Sequence, residues 1–139
     1  MRMARDTRTG QVLEDTVLVC LDFGGYEVRK QVDIGFRLGG GKHKVDLVAS
    51  KEGRDILISL KWQQSSGTAE QKVPYEFMCL AKALDEDPEL EGAYIVIGGT
   101  GWTKDSFFLG DLPEWVNTEH HVRVIRLEEF MGKANNGEL

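Results

Sequence analysis

The chain has 139 residues, a 41% hydrophobic fraction and a formal charge of −6, the composition of one globular domain with a sizeable core. The acidic balance argues against a generally basic, sequence-blind coat for nucleic acid, while leaving room for an enzyme whose carboxylates hold metal. No stretch reaches the roughly 18 apolar residues that span a bilayer, and Met1 to Gly10 is polar with three arginines, unlike a secretory signal; the expectation is a cytoplasmic protein.

From Gly10 the apolar residues Val12, Leu13, Val17 and Leu18 are spaced for one helical face, with Thr7 or Thr9 as the cap and an end near Asp22, before Gly24-Gly25. Cys20 here and Cys79 later both sit in apolar segments and read as reduced, buried thiols. Tyr26 to Arg37 reads as a strand, with Val28, Val32, Ile34 and Phe36 on one side. Gly39-Gly40-Gly41 marks a loop; it lacks the spacing of a phosphate-binding loop. Lys44 to Ser50 and Asp55 to Gln63 are two further strands, and the polar turn Lys51 to Arg54 between them predicts an antiparallel hairpin.

A helix follows, beginning between Thr68 and Val73 and running to about Leu84. Pro74 belongs near its first turn, and Val73, Phe77, Leu80, Ala81 and Leu84 face inward. Ala93 to Ile97 is wholly apolar, as in a strand buried on both faces. Gly98 to Gly101 is an ordinary loop, and Trp102 to Thr118 is irregular, with a helical turn at Leu112 to Val116. Val122 to Ile125 is a last strand and Leu127 to Met131 a short helix. Residues 1–8 and 132–139 are expected to fray. His120-His121 lacks zinc-ligand spacing. The pattern predicts one α/β domain over residues 1–139, with a central mixed sheet of about 4–5 strands flanked by helices.

The third strand is the informative one. Ile56, Ile58, Leu60 and Trp62 alternate with Leu57, Ser59, Lys61 and Gln63. A lysine in mid-strand needs a carboxylate or an anionic substrate, and Asp46, itself a polar residue among apolar ones, is the expected partner across the hairpin.

Asp46, the thirteen-residue step to Ser59, then Leu60 and Lys61 resemble the D…(D/E)XK signature of the PD-(D/E)XK nuclease superfamily, which includes restriction endonucleases, Holliday-junction resolvases and homing endonucleases. The order helix, three strands, helix, strand resembles its restriction-endonuclease-like core (α-β-β-β-α-β). The resemblance implies a Mg2+-dependent DNA endonuclease, with Mn2+ able to substitute. It makes Asp46 a metal ligand, joined by the Leu60 carbonyl, and gives Lys61 the attacking water. It also implies a homodimer that cuts two strands, with phage or mobile-element genomes among its sources.

Val45 stands where the family often has proline, and Ser59 where it has its second acid. A helix glutamate then fills the gap: Glu70 is favoured, with Glu76 and Glu14 as alternatives. Gln71 and Tyr75 resemble the Q-x-x-x-Y spacing of RecB-like nucleases. Gln63 is a further catalytic candidate, and Lys42, His43 and Lys44 are placed to touch DNA phosphates. The competing reading is a nuclease fold kept for nucleic-acid binding or complex assembly. A small-molecule enzyme using the glycine-rich loops is a third.

Overall fold

A computed structural model describes residues 7–116 and 118–139. Its elements run α1 (Thr7–Phe23), β1 (Glu27–Phe36), β2 (Lys42–Lys51), β3 (Arg54–Trp62), α2 (Ala69–Glu86), β4 (Leu90–Gly98), a π-helical turn (Phe107–Asp111), α3 (Leu112–Trp115), β5 (Val122–Arg126) and α4 (Leu127–Asn135). The five strands form one sheet in chain order. β1, β2 and β3 are antiparallel, and β4 and β5 continue parallel to β3.

Short polar turns make the antiparallel half: Glu52-Gly53 turns β2 into β3, both at positive φ. The parallel half needs crossovers, and α2 supplies the first. Helices cover both faces. α1 and α4 pack on one, where Leu13, Val17, Leu21, Ile56, Ile58 and Phe130 make a core. α2, the π turn and α3 pack on the other, over Leu57, Val73, Phe77, Leu80, Ile95 and Val124. β4 is buried from Gly92 to Gly98, as its apolar run predicts.

Three expectations are corrected. The tail is not frayed. α4 continues to Asn135, Leu139 is buried, and its N–H donates to the Tyr26 hydroxyl at 3.0 Å. Of the fraying expected at residues 1–8, Thr7 and Arg8 instead open α1, and residues 1–6 lie outside the described residues. Next, α2 runs straight through Pro74, whose place is the sixth position rather than the first turn.

Finally, the apolar residues of β1 do not share a side. Val28 packs in the α1-side core, Val32 and Ile34 in the α2-side core, and Phe36 is exposed. The alternation therefore changes phase between Val28 and Val32. β2 does the same between Val45, on the α2 side, and Leu47, on the α1 side. The register is constant across this stretch, with Lys30 opposite Leu47 and Val32 opposite Val45, and shifts only between Asp33 and Phe36. Both phase changes fall on the facing residues Gln31 and Asp46.

Candidate active site

β2 and β3 pair from Lys51–Arg54 only as far as Leu47–Ile58, and then separate. Asp46 is the first residue beyond the last pair. Its Oδ2 accepts the Leu60 N–H at 2.7 Å, so a side chain continues the ladder where the backbone stops. The N–H and C=O of one strand residue leave on the same side. The Leu60 carbonyl therefore faces the same opening.

A recess of about 260 Å³ sits there, on the α1 side of the sheet. Asp46, Glu14, Gln31, Gln11, Leu60 and Trp62 line it. Glu14 comes from α1 and stands 3.9 Å from the Lys30 ammonium. The recess thus holds two carboxylates and a main-chain oxygen, the hard donors that suit magnesium or manganese. Among the described residues, no three of His, Cys, Asp and Glu are close enough to form a complete metal cage.

The other side of β3 is differently built. Ser59 and Lys61 share the face of Leu57, toward α2. Ser59 Oγ donates to Glu76 Oε2 at 3.1 Å, and the Lys61 ammonium stands 3.6 Å from the same oxygen. Arg37 Nη1 is 3.4 Å from Glu76 Oε1. His43 Nε2 is 2.7 Å from it, out of line for a full hydrogen bond. Burial opposes ionisation of Glu76, yet His43, Lys61 and Arg37 outweigh it and hold its pKa at about 2. Two cationic side chains, Arg37 and Lys61, and the buried His43 imidazole thus surround one buried carboxylate.

These placements sort the residues named from sequence. Asp46 and Lys61 do not pair with each other: Asp46 binds Leu60 N–H and Lys61 has Glu76. Glu76, rather than the favoured Glu70, is the α2 carboxylate that meets Ser59. Glu70 is turned to the loop after β4, where it accepts from Thr103 N and Lys104 N, both at 2.6 Å, and from Thr103 Oγ1 at 2.7 Å. Burial raises its pKa, but these donors prevail and leave it below the ordinary value.

Gln63 is likewise a tie. Its amide donates to Gly101 O at 2.9 Å and accepts from Ala69 N at 3.2 Å. Gly99, at φ 93°, lets the two loops interlock, because a Cβ there would run into the Gln63 backbone.

Lys42 and Lys44 are exposed, but His43 between them is 1% exposed and cannot meet a phosphate at the surface. Period-two alternation alone separates them. Arg37 and Gln31 were not anticipated. Arg37 carried a signal in its place just before the glycine loop, and Gln31 carried none.

A family model, PD-(D/E)XK nuclease superfamily domain, matches residues 5–138. Two crystal structures share the general fold, and a third shows a weaker likeness. An XisH family protein from Nostoc punctiforme has a TM-score of 0.56 and 21% identity, over 86% of this chain and 94% of that one. A protein of unknown function has a TM-score of 0.51 and 12% identity, over 82% of this chain but 57% of that one, so the chain spans little more than half of that protein. The small subunit of the heterodimeric restriction endonuclease R.BspD6I has a TM-score of 0.49 and 19% identity, over 91% and 69%. No curated protein matches the sequence. With the family model spanning nearly its whole length, the chain belongs to the PD-(D/E)XK nuclease superfamily.

Proposed function

We propose that the protein is a divalent-metal-dependent endonuclease that hydrolyses DNA phosphodiester bonds. The observation that carries this reading is the Asp46 carboxylate set in the gap between β2 and β3, with Glu14 across the recess and the Leu60 N–H in its grip. Asp46, Glu14 and the Leu60 carbonyl are the residues that would hold Mg2+ or Mn2+. Such a cation, when bound, neutralises charge that builds on the scissile phosphate.

Lys61 follows Leu60 directly. Its ammonium, which lies toward α2 beside Glu76, would have to reach round the open end of β3 to orient the attacking water and steady the developing charge. Glu76 takes over at Ser59 as the acidic neighbour and holds Lys61 in place. Lys42 and Lys44 are the phosphate contacts, and a homodimer is the assembly that would cut both strands.

Incubation with supercoiled plasmid, with and without Mg2+, tests the reading. Nicking that requires the metal and disappears in Lys61→Ala is the expected result. No cleavage of duplex, single-stranded or branched DNA with Mg2+ or Mn2+ would sink it. The second reading, a nuclease fold kept for nucleic-acid binding or assembly, is favoured by Ser59 at the acidic position and by the pairing of Lys61 with Glu76. DNA binding without cleavage is its signature.

A further inference from the structure

Gln31 is a non-glycine residue in mid-strand with a φ of 50°, in the left-handed region. Side chains of its type rarely adopt that conformation, and nothing in a regular strand calls for it. The other such residue among those described, Glu52, lies in a tight turn, where positive φ is ordinary.

What Gln31 accomplishes is visible in its neighbours. Before it, Lys30 reaches Glu14 on the α1 side and Arg29 reaches Asp55 on the other. After it, Val32 packs on the α2 side. Lys30 and Gln31 thus both face α1. Opposite them, Asp46 and Leu47 both face α1 as well. Because the pairing register is unchanged across this point, neither strand gains a residue. The phase change is a local twist, and Gln31 is where the backbone makes it.

Without the twist, Asp46 would alternate onto the α2 side with Val48, away from Glu14. His43 would turn away from Glu76. We infer that Gln31 is a positioning residue, whose left-handed backbone turns Asp46 into the recess beside Glu14. This deepens the endonuclease reading and rests on it. The backbone, rather than the amide side chain, does the positioning, so glycine and asparagine should substitute and a β-branched residue should not.

The test compares Gln31→Gly, Gln31→Asn, Gln31→Val and Asp46→Asn in the intact chain. Mn2+ affinity is read by titration calorimetry and plasmid nicking is followed alongside. Asp46→Asn should lose Mn2+ binding. Gln31→Val should weaken it at least about tenfold, while glycine and asparagine stay within about twofold of the parent. Should the valine variant not fold, Gln31→Ala, which also disfavours positive φ, replaces it with the same expectation.

Parent-like affinity in the valine or alanine variant, with Asp46→Asn deficient, overturns the inference and leaves the endonuclease reading standing. A loss in the glycine variant equal to that in valine also overturns it, since the side chain would then be responsible. Unchanged Mn2+ binding in Asp46→Asn removes the metal-site reading and the inference together.

Discussion

Glu76 concentrates the electrostatics of the molecule at one residue. Its carboxylate is buried and faces Arg37, His43 and Lys61. Removing its charge leaves the Arg37 and Lys61 cations without a counter-charge. Glu76→Gln should therefore cost roughly 3–5 kcal/mol of stability, measured by chemical denaturation. The pH dependence has a definite sign. With a folded pKa of about 2 against an ordinary value of 4.5, Glu76 stabilises the fold above pH 4.5. That contribution is lost as pH falls from about 4.5 toward 2, and an acid titration of Glu76→Gln should lack this component. From sequence, helical spacing put residues 70, 73, 76 and 80 near one side of α2. It did not say which glutamate reaches β3, because that depends on where the following loop returns.

At the scale of elements, that loop settles the matter. The segment 98–104 comes back to the start of α2, and Glu70 caps it through three donors. Glu70→Gln should loosen the loop and cost about 1–3 kcal/mol. Hydrogen exchange at Thr103 and Lys104 would report the change, while Mn2+ affinity stays at the parent value. A drop in affinity equal to that of Glu14→Gln would restore Glu70 as a ligand. The irregular stretch after β4 has no periodicity, which is why its partner could not be read in advance. The alternation of β3 was readable, and Ile56 and Ile58 do face the opposite core from Leu57. The twist in β1 was not: no glycine, asparagine or aspartate marks Gln31, and the apolar residues on either side look continuous.

For the whole molecule, the order of helices and strands was open to the sequence, because hydrophobic period and turn residues agree along most of the chain. No helix among the described residues is long and apolar enough to cross a membrane. The net charge of −6 makes local placement of cations decisive for an anionic polymer. Lys42→Ala and Lys44→Ala should each weaken DNA binding across sequences and lower the slope of log affinity against log salt by about 1. Titrations at several salt concentrations would check it, and unchanged slopes would place the DNA elsewhere.

The join between β3 and β4 also has a kinetic consequence. β1, β2 and β3 meet through short turns, whereas β3 and β4 pair only after α2 has crossed over. Closing that longer loop is the slower, entropically dearer step. Asp46 and the Leu60 N–H lie wholly within the hairpin half. They can find each other early in folding, while the glutamate partners of Lys61 and the 103–104 loop must wait for α2 to dock.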